Sequence, residues 1–551
     1  MDKKIILLLG IIIALAFFLR FYRVVEIPPS LNWDEVSIAY NGYSILKTGR
    51  DEWNQRMPIH FKSYGEFKLP AQVYLSIPGI YLFGLNELGV RITPVIYGTL
   101  TVFVIFFLAK ALFQSNFVGL ISAFLLAVSP WHIHLTRASF ESSFATFWIV
   151  LGIWLLVLGF KKQKRMVVSM IPFAISVFTY NAARIFTPLF LLATAFIYRK
   201  ILAKSKTIVI LSAIVFATLL LPLTPFLLSG ERSARYKLVS ITDDPGLIPR
   251  INENRGNSNL PRPFPRLIHN KLTYISFYFA RNYMAHFTPE FLFVSGAPHK
   301  QHHVQNIGQL YLFQAPFLII GLVALFVLKH KFKGLLISWL LLAHIPVAAT
   351  GDSIPHGLRT LLAAPVYQLL TAFGIYQVYS WFKKKEFIWQ RRAIFLAVVI
   401  LFSLQFISYI SSYFKVYPIR YSRDWQYGYK QVVDYIKLHK DEYNLIVFTR
   451  HYGEPHMFTL FYLNYDPKKY QSDPNLVRFE TFDWVRVLRF DKFYFPDLGD
   501  KGTRYEDIVK ANPGKKILFI GRGGDFPKEI PRLYSINFLN GDNAFDIVEI
   551  K

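Results

Sequence analysis

The residues best placed to do chemistry begin at Ser30-Leu31-Asn32-Trp33-Asp34-Glu35, where two adjacent carboxylates follow the first long apolar run. Two carboxylates at a membrane surface are costly to desolvate, so their presence there points to a site. A local reading stands beside it. Acidic residues favour the first turn of a helix, and Val36, Ala39, Tyr40 and Tyr43 follow at helical spacing. The two readings are compatible, because a carboxylate held at a helix start is already oriented. Arg137 and Glu141 stand four residues apart, which allows either a helical ion pair or the lining of a polar cavity near the bilayer. Arg184, which ends the run Thr179-Tyr180-Asn181-Ala182-Ala183-Arg184, either serves a site or snorkels to lipid headgroups. In Pro298-His299-Lys300-Gln301-His302-His303, the residues His302 and His303 could hold a divalent metal. Lys300 and an exposed setting favour a plain loop or an acceptor-binding surface instead. Gly521-Arg522-Gly523-Gly524 has the glycines of a phosphate loop but neither its lysine nor its threonine, and reads as a turn.

The elements that must position these groups follow from composition. Of 551 residues, 53% are hydrophobic, 17% aromatic and 18% charged, and the mean hydropathy is +0.31. Ordinary soluble domains carry about 25% charge. A chain this apolar could not cover its own surface in water, so a polytopic α-helical membrane protein is expected. With no cysteine, disulfides, thiolate zinc sites, iron–sulfur clusters and cysteine nucleophiles are all excluded. A membrane-crossing helix needs about 20 mostly apolar residues. Eleven runs qualify, at roughly 5–24, 88–108, 118–135, 140–160, 166–181, 184–198, 207–228, 311–328, 334–349, 358–382 and 393–413. The first reads as a retained anchor, because no small-residue cleavage site follows it and the run continues through Phe17, Phe18 and Phe21.

Every second loop is basic. Segments 3–4, 110, 161–165, 199–206, 329–333 and 383–392 hold 19 Lys and Arg against two acids, Glu386 within them and Asp2 directly before the first. They supply +17 of the formal +27, whereas the tail from Phe414, with 22 basic and 19 acidic residues, adds only +3. The positive-inside rule thus accounts for most of the excess charge, and nucleic acid is not needed as a partner. An odd number of spans puts the N-terminus in the cytoplasm and the C-terminus outside. The expected organisation is a membrane domain over 1–413 with long outer loops 25–87 and 229–310, followed by an extracytoplasmic domain over 414–551. Residues 74–83 suggest a helix lying along the interface, and 250–266 reads as a loop. Strand-like runs at 444–449, 516–520 and 544–550, interleaved with a helical stretch at 431–439, predict a small α/β fold for the last domain.

The acidic pair Asp34-Glu35 just past the first span, together with Tyr64-Gly65-Glu66-Phe67-Lys68-Leu69-Pro70 about 35 residues on, resembles the GT-C superfamily of membrane glycosyltransferases. The likeness is to the branch of the protein O-mannosyltransferases and the lipid A aminoarabinose transferase. It covers about residues 1–410 in layout and some 60 residues in motif. In the aminoarabinose branch Glu directly precedes Lys, whereas here Phe67 separates Glu66 from Lys68.

The resemblance implies a GT-C-like fold of about eleven transmembrane helices in the cell membrane. It also implies transfer of a sugar from a polyprenyl-phosphate carrier to an acceptor hydroxyl at the outer face. The acceptor would be a protein, a lipid or a glycan. A phosphate leaves readily as an anion and needs charge stabilisation more than a proton, so one general base suffices. Asp34 is expected to be that base, with inversion at the anomeric carbon, and Glu35 to orient the acceptor or hold the local helix. Lys68 and Glu66 follow from the family element as substrate-binding residues. Arg137, Arg184 and the pair His356 and Arg359, in Pro355-His356-Gly357-Leu358-Arg359, fall on the same predicted side and would meet the carrier phosphate, with Glu141 lining the substrate cavity beside Arg137. Metal dependence stays open. The competing classes are a flippase or transporter of lipid-linked sugars, for which mid-span charges and repeated halves are expected, and a ligase or polymerase of whole lipid-linked glycans.

Overall fold

The computed structural model describes residues 2–228, 239–384, 388–481, 484–499 and 502–550. Parts of two segments named above, 229–238 of the second outer loop and 385–387 of the last basic loop, lie outside the described residues. In chain order the first elements are α1 (Lys3–Phe21), α2 (Trp33–Thr48), a hairpin of β1 (Phe61–Ser63) and β2 (Glu66–Lys68), and α3 (Pro70–Phe83). There follow α4 (Glu87–Phe113), α5 (Asn116–Val128), α6 (Pro130–Leu135), α7 (Glu141–Gly159), α8 (Lys164–Val177) and α9 (Asn181–Ile197). The backbone gathers into two compact units. One comprises Met1–Tyr22, Val95–Thr136 and Glu141–Ile410; the other comprises Arg23–Pro94, Arg137–Phe140 and Ser411–Lys551.

The first unit is helical. Among the described residues, six helical stretches are long and apolar enough to cross a membrane: Lys3–Phe21, Glu87–Phe113, Glu141–Gly159, Arg199–Phe226, Leu361–Phe382 and Ile388–Arg420. Asn116–Val128, Asn181–Ile197, Gln314–Val327 and Lys333–Ala348 are apolar but shorter. Their outer faces carry bare hydrocarbon, as at Ile6, Leu7 and Leu8 of α1 and at Phe395, Leu404 and Ile407 of the helix Ile388–Ser411. Such faces are stable against lipid and not against water. Inside, close approach replaces the hydrophobic drive. A Cβ on Gly321 would lie 2.0 Å from the Leu370 carbonyl oxygen and one on Gly374 would lie 1.9 Å from that of Phe317, so Gln314–Val327 and Ala364–Lys384 pack backbone to backbone. Arg20 is fully buried and caps the free carbonyls ending α5, donating to Leu126 O (3.2 Å) and Ala127 O (3.1 Å), with His132 Nδ1 at 2.7 Å. The loop expected at 250–266 is partly helical, as Leu247–Gly256 and Phe264–Ile268. Leu247 and Ile251 are four residues apart and both buried, an apolar face that the polar composition hides.

The second unit is built on a seven-stranded sheet of order β4-β5-β6-β3-β7-β9-β8. Its strands are β3 (Leu445–Phe448), β4 (Val477–Glu480), β5 (Val485–Phe490), β6 (Phe493–Tyr494), β7 (Ile517–Gly521), β8 (Tyr534–Asn537) and β9 (Asn543–Ile550). β3 pairs in parallel with β6 and β7, and the remaining pairs are antiparallel. β7 is buried along its whole length, which is why it reads as a continuous apolar run. In β4 and β5, valines and arginines alternate over Val477-Arg478 and Val485-Arg486-Val487, a period of two that also marks strands. The glycine-rich stretch after β7 is a turn closed by Arg522 on Asp525 (2.8 Å). Val36, Ala39 and Tyr40 of α2 share one core with Val432, Ile436, Phe458 and Phe545. The apolar face of α2 finds its partner there. The first outer segment, expected to belong to the membrane domain, therefore clusters with the C-terminal sheet.

Candidate active site

The site begins with the way α2 starts. Asn32 Oδ1 accepts the Glu35 N–H (3.0 Å) while Glu35 Oε2 accepts the Asn32 N–H (3.2 Å), a reciprocal capping box. Glu35 is fully buried and also accepts from the Ser139 N–H (3.0 Å), from Arg91 Nε (3.1 Å) and from Arg91 Nη2 (3.2 Å). Arg91 spends its other donors on the carbonyls of Val24 (2.9 Å), Pro28 (2.7 Å) and Ser30 (2.5 Å), so all five guanidinium N–H groups are used. Of the two roles expected for Glu35, this geometry supports holding the helix.

Asp34, one residue earlier, is left outside the box and stays accessible, with 39% of its side chain exposed. Its Oδ1 accepts from Lys68 Nζ at 2.5 Å, and Lys68 is itself only 3% exposed. The Glu66 carboxylate stands 3.9 Å from the same ammonium. In the hairpin Ser63 pairs with Glu66 and Phe61 with Lys68. Alternation along a strand puts residues 66 and 68 on one face, so the intervening Phe67 is what brings both charges to Asp34. Asp34, Glu66 and Lys68 are thus brought together from two segments of the second unit, α2 and β2.

The other expected residues are placed differently. Arg137, in the second unit, is buried, donates to Ile27 O (2.8 Å) and lies over the rings of Tyr413 and Phe414 (5.4 and 5.1 Å). Glu141 and Arg184 belong to the first unit, where Arg184 lies over the Phe226 ring (5.0 Å) and interacts electrostatically with Glu141. Arg359 is mostly buried and pairs with Asp352 (3.1 Å) and Thr350 Oγ1 (2.8 Å). The His356 N–H donates to His286 Nε2 at 2.9 Å. In the histidine loop Lys300 is exposed, as expected, whereas His299 and His302 are half-buried and His303 is buried. His299 and His302 stack at 3.7 Å, and the His302 ring lies 5.0 Å from that of His356. Burial pushes His302 well below the usual histidine range, with His299, His356 and Arg359 adding to it, and burial pushes His303 down to about 4. The donor set does not fit a metal. Parallel stacked imidazoles aim their lone pairs side by side instead of at one point, and His303 Nε2 is engaged by the Ile307 carbonyl (2.5 Å). Among the described residues no group of three metal-ligating side chains forms.

Arg91 escaped the sequence reading, although a lone arginine inside the apolar run 88–108 is a usable signal. Asp352 carried no comparable mark.

Residues 70–224 match the model of the dolichyl-phosphate-mannose-protein mannosyltransferase family. No curated protein sequence matches the chain. Among solved structures, ArnT from Cupriavidus metallidurans bound to undecaprenyl phosphate aligns over 99% of this chain and 98% of its own, at 12% identity and a TM-score of 0.53. The oligosaccharyltransferase of Archaeoglobus fulgidus, in complex with zinc and sulfate, aligns over 83% of this chain at 14% identity and a TM-score of 0.52. The chain spans 61% of that enzyme's length. The fold is that of the GT-C glycosyltransferases. The resemblance read from Asp34-Glu35 and the 64–70 element is borne out at that level, with the helical membrane architecture and the C-terminal sheet as expected. The family match begins at Pro70, after both Asp34 and Lys68, so the site itself stands on its geometry.

Proposed function

We propose that this GT-C chain transfers a sugar from a polyprenyl-phosphate carrier to an acceptor hydroxyl on the outer face of the membrane. The observation that carries this reading is the contact between accessible Asp34 and buried Lys68. The acceptor oxygen attacks the anomeric carbon as its proton passes to Asp34, and the carbon–oxygen bond to the phosphate breaks with its electron pair going to the phosphate. Inversion follows from a single displacement. The ion pair couples the two ends of this step. Once Asp34 is protonated it no longer neutralises Lys68, whose charge is freed for the departing phosphate at the moment negative charge develops there. Glu66 keeps the ammonium in place throughout. Glu35 positions α2 from behind and does not touch the reacting atoms.

In this reading about eleven helices cross the membrane, the N-terminus is cytoplasmic, and the sheet domain from about residue 414 lies outside. The carrier's apolar tail stays in lipid, where burial adds roughly 0.8 kcal/mol per CH₂. Undecaprenyl phosphate, the ligand of the ArnT structure, is the first carrier to try. Purified protein in nanodiscs, given a labelled polyprenyl-phosphate sugar, should transfer it. Asp34→Asn should lose about 10²–10⁴-fold in kcat, the usual contribution of a general base, while still binding the carrier. Full transfer by that variant would remove Asp34 from the mechanism. Movement of the carrier across the bilayer by wild-type protein, without transfer, would replace the enzyme with a transporter.

A further inference from the structure

The C-terminal sheet touches both segments that carry the reacting pair, and it does so through a few named contacts. On the α2 side, the Trp33 N–H donates to Gln426 Oε1 (2.8 Å), and Gln426 Nε2 donates in turn to Tyr452 O (2.7 Å). Gly453 lies against the six-membered ring of the Trp33 indole. A Cβ there would sit 2.6 Å from Trp33 Cε3, and the glycine's φ of +126° is one that side chains rarely adopt. On the hairpin side, the Val485 N–H of β5 donates to Tyr64 O (2.5 Å), and Lys62 is ion-paired with Glu480 of β4. Tyr64 is four residues before Lys68, and Trp33 is adjacent to Asp34.

One side chain reaches both arms. The Trp484 ring lies 6.0 Å from Trp33 and stacks at 5.8 Å, with an interplanar angle of 9°, on Tyr64. The arms also meet directly, the Tyr64 hydroxyl donating to Trp33 O (2.9 Å). Trp484 is fixed from behind by its Nε1–H, which donates to buried Glu454 Oε1 (2.5 Å) beyond the end of β3. The indole therefore has a set orientation as well as a set place.

We propose that Trp484, supported by Gln426 and Gly453, is a positioning residue that sets the Asp34–Lys68 separation, so that the C-terminal sheet is part of the catalytic device and not an independent binding module. The proposal rests on the reading of Asp34 as the base. A plain aromatic core would need only bulk at position 484. A clamp needs one rigid group touching two arms, and misplacing reacting groups by about 1 Å can cost about 10²-fold in rate.

The test combines kinetics with a distance measurement. The chain has no cysteine, so spin labels at Lys47→Cys on α2 and Ile59→Cys before β1 report on the two arms without background. Trp484→Ala should broaden the label distance distribution. It should also lower kcat by about 10²-fold, the cost of such a misplacement, with the carrier's dissociation constant unchanged. Trp484→Phe, which keeps a ring but loses the Nε1–H that Glu454 accepts, should recover only part of kcat and of the narrow distribution, whereas full recovery would mean that bulk alone is needed. If Trp484→Ala does not fold, Gln426→Ala removes one hydrogen bond from the α2 arm and should shift kcat in the same direction. Wild-type kcat in Trp484→Ala, or a loss of kcat with an unaltered distance distribution, would overturn the clamp. A wild-type protein that transfers sugar from no carrier would overturn the glycosyltransferase reading instead, while the label distances still report on the clamp.

Discussion

Replacing Arg91 by leucine isolates the feature that orients α2. The guanidinium lies in a fully buried position and makes five hydrogen bonds, two to Glu35 and three to the carbonyls of Val24, Pro28 and Ser30. Leucine satisfies none of them. Glu35 would keep only the Asn32 and Ser139 N–H groups and would remain a buried charge without a counter-ion. Removing one partner of a buried pair costs about 3–5 kcal/mol, whereas replacing both by apolar groups often costs far less. Arg91→Leu and Glu35→Leu should each destabilise the second unit by about that amount, and the double variant should cost about 2 kcal/mol or more below their sum. Arg91→Lys should fall between, since three donors at a point replace a planar fork of five. The assay is thermal unfolding in nanodiscs, followed by tryptophan fluorescence and assembled into a double-mutant cycle. Arg91→Leu within about 1 kcal/mol of wild type, the range of exposed ion pairs, would refute the argument, as would strict additivity of the two single changes.

Two further outcomes follow from burial and packing. Burial holds Glu52 up to about 7, against the 4.5 of an unperturbed glutamate, with Asn41 partly opposing the shift. A carboxyl whose folded value is raised contributes stability below its unfolded value and loses it as pH rises through the folded one. Glu52→Gln should therefore stabilise the second unit at pH 8 by about 1–3 kcal/mol and have no effect at pH 4.5, as read from unfolding curves across that range. An equal gain at both values would mean that the effect is not the charge. Gly374→Ala should separate Gln314–Val327 from Ala364–Lys384, because its Cβ would sit 1.9 Å from Phe317 O; a loss of about 1–3 kcal/mol in thermal unfolding is expected, and an unchanged midpoint would show that the helices part freely.

The sequence by itself determined the helical architecture, because a 20-residue apolar run and a basic loop are local properties that do not depend on what packs where. It also determined the α2 start, since acidic residues favour a first turn and Val36, Ala39, Tyr40 and Tyr43 follow at helical spacing, and the strands β3 and β7, whose apolar runs are continuous, with β9, whose run Asp546 and Glu549 interrupt. The contact between Asp34 and Lys68 was reachable only through a family resemblance, because 34 residues and a change of element separate them. Phe67 looked like a departure from that family and became intelligible only when the hairpin put Glu66 and Lys68 on one face. Tertiary structure alone decided that Arg91 answers Glu35, that His303 turns to a backbone carbonyl, and that Gln426 and Trp484 reach Trp33. All but the His303 contact, which closes a local turn onto Ile307, are hydrogen bonds or ring contacts between segments tens to hundreds of residues apart. Periodicity and composition report which face of an element is apolar. They do not report which distant donor finds which acceptor, because that depends on the relative placement of whole elements.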